Sequence, residues 1–353
     1  MNEILTQEAL ALLKDLISIQ SFSSEEQGTA KRIESWFTDH DIPFMRENNN
    51  VYAFNSSFEK GKPTLLLNSH HDTVKPNSAY TKEPYFPHID EDGKLFGLGS
   101  NDAGGALVSL LALFTHYYEH PNPKYNLIIA ATAEEESSGP LGLNSLLKTL
   151  PDIDLAIVGE PTLMQLAVAE KGLVVFDGVV SGTASHAAHP NDDNPIMKLP
   201  QVLEWFNNFK FEKKSEALGP VKMTVTQVSA GKQHNVVPAE AHLVIDVRVN
   251  DCYSNMDVVA LLQKEAPCTL TPRSTNLNSS FIPIDHELVQ AGIGLGRTPY
   301  GSPTLSDQAK LSCPSLKLGP GDSTRSHTAN EYIHVSEIEE GITIYINLLN
   351  EIL

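Results

Sequence analysis

Five runs of this chain end or turn in residues able to hold a cation. TLLLNSHHDTV closes on His70, His71 and Asp72. NLIIAATAEEESSG closes on Glu134, Glu135 and Glu136, and DLAIVGEPT on Glu160. FGLGSNDAGGAL carries Asp102 in a glycine-rich turn, and PSLKLGPGDSTRSHTANEY carries His327. Side chains alternate along a strand, so His70 and Asp72 share a face that His71 leaves. That sets an imidazole beside a carboxylate able to orient it. Three consecutive glutamates repel one another unless a cation or a shared proton compensates. An acidic run is ordinarily a solvated loop, but this one abuts a strongly apolar run. Asp102, just ahead of a helical stretch, could equally serve as a helix cap. Two imidazoles with three carboxylates make a mixed nitrogen–oxygen set suited to zinc, cobalt or manganese. Five ligands exceed what one catalytic zinc takes, and a bridging carboxylate would let them serve two ions about 3.5–4 Å apart.

Such a set needs a scaffold that brings distant segments to one edge. Thr64–Leu67, Asn126–Ala131, Leu155–Val158 and Ser315–Leu318 are short continuous apolar runs, as expected of strands buried on both faces. The helical stretch Ala106–Tyr118 falls between two of them, in the manner of a βαβ unit. Ligands of open α/β sheets bind outside the carboxyl ends of the strands, which is where these acids and histidines fall. Two amphipathic stretches, roughly 5–18 and 25–39, open the chain, with Ser23 or Ser24 followed by Glu26 as the second helix's start signal. After Glu170 the texture changes to alternating strands (VVFDGVVSG, VKMTVTQVSAG, AHLVIDVRV) and helical stretches near 196–209 and 256–264. The expected fold is α/β, a mixed central sheet flanked by helices, with an inserted α+β lid or dimerisation domain. Residues 1–171 and 279–353 would form the catalytic domain and 172–278 the insertion.

The chain has 353 residues, with 44 acidic against 25 basic and a formal charge of −19. That balance excludes nucleic acid and anionic membranes as partners, since both bind through clustered Lys and Arg. No apolar run nears the length that crosses a bilayer, and MNEILTQEALALLKDL lacks the basic start of a signal peptide. Cys252, Cys268 and Cys313 have neither metal-ligand nor redox spacing. A soluble, cytoplasmic protein is expected.

Eight segments, in order, resemble the zinc-dependent amidohydrolases and exopeptidases that include acetylornithine deacetylase, succinyl-diaminopimelate desuccinylase and glutamate carboxypeptidase. They are SHHDTV (69–74), GLGSNDAGGAL (97–107), AEEESS (133–138), GEPT (159–162), GTASHAAHP (182–190), HNVVP (234–238), DVR (246–248) and GPGDSTRSHTANEY (319–332). The resemblance implies two divalent ions, zinc or cobalt, with His70 on one and His327 on the other. Asp102 would bridge them, Glu136 would join one and Glu160 the other. It further implies that Asp72 orients His70 and that Glu135 is the general base. His186 would reach the substrate carbonyl from the partner subunit of a homodimer built through the inserted domain. Asn235 and Arg248 would contact the substrate, Arg248 through its α-carboxylate, although a salt bridge from Arg248 to Asp246 or Asp251 is the competing use. Glu134 stands where the family often has Asp, and Ala187 and Ala188 replace serines that often follow the inserted-domain histidine.

The implied substrate is a small acylated amino acid. N-acetyl- or N-succinyl-L-ornithine, cleaved to ornithine in arginine biosynthesis, is the first expectation. Succinyl-diaminopimelate, acetylcitrulline, acetyl-lysine or a peptide cleaved by a dipeptidase or carboxypeptidase are alternatives, as is a metal-binding dimer without catalysis. A succinyl group asks for a further cationic or hydrogen-bonding group, for which Arg325 is a candidate, an ordinary surface arginine being the competing reading.

Overall fold

A computed structural model describes residues 2–121 and 123–353. The chain folds as two compact units, one of residues 1–168, 281–300 and 306–353, the other of 169–280 and 301–305.

The first unit is built on a mixed sheet. In chain order seven of its nine strands are β1 (Met45–Glu47), β2 (Asn50–Phe54), β3 (Thr64–His70), β4 (Asn126–Thr132), β5 (Leu155–Val158), β6 (Leu166–Glu170) and β7 (Ser315–Lys317). They lie side by side as β1-β2-β4-β3-β5-β7-β6. β3 runs parallel to both β4 and β5, and β7 runs parallel to β5. These four strands therefore share a carboxyl edge. Every residue of β3, β4 and β5 is buried, because both faces are covered. Leu65 and Leu67 join the larger core with the helices Asn2–Ile17, Gln27–Asp39, Gly105–Tyr117 and Val335–Asn350. Leu66 points oppositely, into a smaller cluster with Ile128, Leu143 and Leu146. Burying one such leucine stabilises the fold by roughly 1.5–3 kcal/mol. This double coverage explains why the runs are uniformly apolar rather than alternating.

Two expectations at the amino end shift. The second helix starts at Gln27, and its cap residue is Glu26, with no side-chain cap hydrogen bond. Ser23 and Ser24 instead donate to Asp72 and Glu134 at 2.7 and 2.8 Å. A buried carboxylate acceptor outcompetes the local cap. Asp102 likewise caps nothing: the residue ahead of the Gly105–Tyr117 helix is Gly104, and Asp102 itself is extended at φ −118°.

The second unit carries a four-stranded antiparallel sheet in the order Lys222–Ala230, Glu240–Val249, Gly172–Ser181, Thr269–Pro272. Its strands alternate: Gly172–Ser181 buries Val174, Phe176 and Val180 while Asp177 and Ser181 stay exposed. One face packs on the helices Pro195–Asn208 and Asn255–Glu265. No helix among the described residues is long and apolar enough to cross a membrane.

Candidate metal centre

The shared carboxyl edge of β3, β4, β5 and β7 is where the acids and histidines gather. His70 is the last residue of β3, and Glu135 and Glu136 lie in the turn after β4. Glu160 stands two residues past β5, and His327 ten past β7. Asp102 comes from the loop ahead of the Gly105–Tyr117 helix, after which the chain crosses behind the sheet.

Asp102 sits between the two histidines. Its Oδ1 is 3.4 Å from His70 Nε2 and its Oδ2 is 3.6 Å from His327 Nε2. On the first side Glu160 Oε1 is 3.7 Å from His70 Nε2. On the second, Glu136 Oε2 is 3.0 Å from His327 Nε2. His70 Nδ1 is 2.9 Å from the Asp72 carbonyl, which as the donor side of the ring leaves Nε2 free to be a ligand. Ligand atoms of His70, Asp102 and Glu136 lie within 4.8 Å of one another, and so do those of His70, Glu135 and Glu160. A tetrahedral zinc with bonds of about 2.0–2.2 Å sets neighbouring ligand atoms about 3.4 Å apart. The donor set and its spacing thus fit divalent ions.

The electrostatics of the cluster agree. Burial, then the charges of Asp102 and Glu135, push Glu160 well above the usual carboxylate range, although His70 opposes them. Burial pushes Glu135 up to about 8; His70 pulls down, while Asp307, Glu136 and Asp72 add to the rise. Carboxylates crowded this closely take up protons unless a cation replaces them. At the other histidine, the hydrogen bond to Glu136 comes first and outweighs burial, so that with Asp102 and Glu331 it lifts His327 to about 9. A metal must therefore displace a proton from His327. Zinc or cobalt affinity at this side is expected to rise about tenfold per pH unit below 9 and to level off above it. Titrating metal-free protein at pH 7, 8 and 9.5 checks this; equal affinity at 7 and 8 would sink it. Without metal the same shift stabilises the fold fully below about 6.5, and that contribution is lost as pH rises through about 9.

Asp72 does more than face His70. Its carboxylate accepts from the backbone N–H of Glu135 at 3.0 Å and of Glu136 at 3.2 Å, and from Ser23. Burial would raise this acid, but the His70 contact and these donors hold it near 2. His71 turns away: Nδ1 lies 2.9 Å from the Thr29 hydroxyl and Nε2 3.0 Å from the Asn49 carbonyl. Burial first, against the pull of Asp72 and Asn49, lowers His71 to about 4. Glu134 also leaves the cluster. Its carboxylate accepts from Ser24 and, at 2.9 Å, from Leu141 N–H.

Glu331 and Asn101 carry no assignment from the sequence. Glu331 is buried and accepts the N–H groups of Gly99, Asn101 and Asp102 at 3.1, 2.8 and 2.9 Å. Asn101 bridges to the His327 loop through Asp322, donating to its carbonyl at 3.1 Å and accepting its N–H at 3.0 Å. Glu331→Ala strands three donors, those of Gly99 and Asn101 buried and that of Asp102 half-buried, at about 1–3 kcal/mol each. The variant is expected to lose at least about 3 kcal/mol of unfolding free energy as metal-free protein in urea. A loss under 1 kcal/mol would refute that.

The remaining predicted residues divide between the units. Arg325, in the first, donates to both Glu337 oxygens at 2.7 and 2.9 Å and stacks 4.8 Å from the Tyr332 ring. The second unit holds His186, Asn235 and Arg248. Arg248 pairs bidentately with Asp246, at 2.9 and 3.1 Å. His186 Nδ1 accepts from Ala188 N–H at 3.2 Å, which leaves the proton of a neutral ring on Nε2. Ala187 N–H donates to the Asn235 carbonyl at 3.0 Å, joining the two loops.

Comparison with known proteins supports the same chemistry. The chain is 29% identical over 383 aligned positions to a succinyl-diaminopimelate desuccinylase of Beijerinckia indica, covering 98% of this chain and 99% of that one. It is 26% identical to a probable carboxypeptidase of Emericella nidulans, covering 96% and 88%. Among solved structures it resembles a Staphylococcus aureus tripeptidase (TM-score 0.75, 19% identity, 98% and 97% covered) and a dinuclear metal-binding peptidase of Bacillus subtilis (TM-score 0.72, 15% identity, 98% of each). The family model for peptidase family M20/M25/M40 matches residues 66–351, from inside β3 to the end of the last helix. A match of that extent, around a site with the donors for two ions, means that the chain belongs to peptidase family M20/M25/M40 and is a metal-dependent amidohydrolase.

Proposed function

We propose that this protein hydrolyses the amide bond of an N-acylated amino acid with a free α-carboxylate, N-succinyl-diaminopimelate being the first substrate to test. The observation that carries the reaction is Glu135 standing beside the His70, Asp102, Glu136, Glu160 and His327 set with its carboxyl pushed up to about 8. The succinyl-diaminopimelate desuccinylase of Beijerinckia indica, alignable over nearly the whole chain, supports that substrate.

Two divalent ions held by His70, Asp102 and Glu160 on one side and His327, Asp102 and Glu136 on the other would supply Lewis acidity for the carbonyl and acidify the attacking water. Glu135 accepts the proton of that water and delivers it to the leaving nitrogen, a task suited to a carboxyl tuned toward neutral pH. Asp72 holds the Glu135 and Glu136 N–H groups together, so one glutamate stays a ligand while its neighbour exchanges protons. His186 of the partner subunit, with its proton on Nε2, donates to the developing oxyanion. Arg248, whose pair with Asp246 uses Nε and Nη2, would bind the α-carboxylate through Nη1, and Asn235 would contact the substrate as well. Among the described residues the strand Lys222–Ala230 pairs in its sheet only with Glu240–Val249, and such an open edge supports a homodimer through this unit.

N-acetyl-L-ornithine is the second reading, and Arg325 favours it. A guanidinium already held by both oxygens of Glu337 is engaged before any succinyl carboxylate arrives. Relative kcat/KM on succinyl-diaminopimelate, succinyl- and acetyl-ornithine, and a dipeptide decides among these. Amine release from none of them by zinc-loaded protein would end the proposal.

A further inference from the structure

The turn 306–310 brings a buried ion pair to the underside of the site. Asp307 and Lys310 side chains are 1% and 2% exposed, and Lys310 Nζ lies 2.8 Å from Asp307 Oδ1. The other Asp307 oxygen accepts from the Thr132 hydroxyl at 2.9 Å. Thr132 closes β4, three residues before Glu135. Asn68, two residues before His70, meets the same Thr132 oxygen through its amide at 2.9 Å. Turned with its oxygen toward Ser69 N–H, the Asn68 amide donates to the Asp307 carboxylate at 3.3 Å, whereas the opposite orientation sets its oxygen against that carboxylate. Gln308 anchors the turn to β7, donating to the Ser315 carbonyl and hydroxyl at 2.8 and 2.9 Å. One short turn thereby ties together the strand ends that carry His70 and Glu135.

A hydrophobic pair would fasten such a turn at no electrostatic cost, because burying two charges usually loses as much as their attraction returns. The position of this pair gives the charges a use. Lys310 holds one Asp307 oxygen at 2.8 Å and Thr132 meets the other at 2.9 Å, so the ion pair fixes the end of β4 from which the Glu135 turn departs.

We propose that Lys310, held by Asp307, is a positioning residue for Glu135: its buried ion pair fixes the Asp307 contact with Thr132, and through that strand end where the general base stands relative to the substrate. This rests on Glu135 being that base, so Glu135→Gln is measured alongside. On whichever acylated amino acid the wild type cleaves best, Lys310→Met is expected to lower kcat about 10–100-fold. KM should stay within about twofold, and calorimetry on metal-free protein should still count two zinc ions per chain. Lys310→Arg, which keeps the charge, should recover most of the loss. Unchanged kcat in Lys310→Met, or Lys310→Arg as slow as Lys310→Met, would overturn the proposal. So would a loss of zinc binding that accounts for the whole fall. If Lys310→Met does not fold, the double variant Asp307→Asn/Lys310→Met removes both charges. Folded and slow supports positioning; folded and fast means the pair only fastens the turn. Full turnover in Glu135→Gln would instead remove the base itself.

Discussion

Glu135→Gln is expected to bind two metal ions as the wild type does and to lose two to four orders of magnitude in kcat. General acid–base groups contribute about 10²–10⁴-fold, and glutamine keeps the size of the side chain while removing its exchangeable proton. The variant also removes a charge from a crowded cluster: Glu135 is among the groups that raise Glu160. Zinc affinity should therefore hold within a few fold. Calorimetry and steady-state kinetics on one preparation separate the outcomes. Lost metal with lost activity would make Glu135 a ligand, whereas turnover near the wild type would mean the proton moves by another route.

Asp102→Asn is expected to fail differently, by losing metal. Among the described residues Asp102 is the one carboxylate within 4 Å of both histidines, each with its own oxygen. An amide offers one oxygen and no charge. The loss in affinity should exceed the roughly 10–100-fold that follows removal of a partner outside the ligand set. Stability reports the same event. Zinc at a thousand times its dissociation constant adds about 4 kcal/mol to a protein that binds it only when folded. Asp102→Asn should forfeit most of that gain, so its unfolding midpoint should barely respond to zinc. A full response would show that the bridge is dispensable.

The buried strands and the residues at their ends were legible because two-sided burial leaves a plain mark, apolar runs that stop abruptly at acids. The facing of His70 against His71 followed from alternation alone. What stayed hidden depends on partners far along the chain. Glu331 acts on N–H groups some 230 residues away, and no local spacing encodes that. Ser23 and Ser24 read as a helix start until buried acceptors at Asp72 and Glu134 are known. The short excursion of 301–305 into the second unit carries no shift in composition. Asp307 and Lys310 look like an ordinary polar turn, since burial of a charge is a property of the surroundings.

The position of β7 between β5 and β6 has a consequence for the life of the protein on the ribosome. β5 and β6 are synthesised early, but the strand that must lie between them comes about 145 residues after β6, which at about 5–20 residues per second is a wait of about 7–30 seconds. Through that interval β5 presents an open edge of the kind that invites wrong pairing. His327 follows later still. Metal capture thus waits for these late segments, and codons or chaperones that change the pace between residues 170 and 315 should change how much of the protein ever becomes an enzyme.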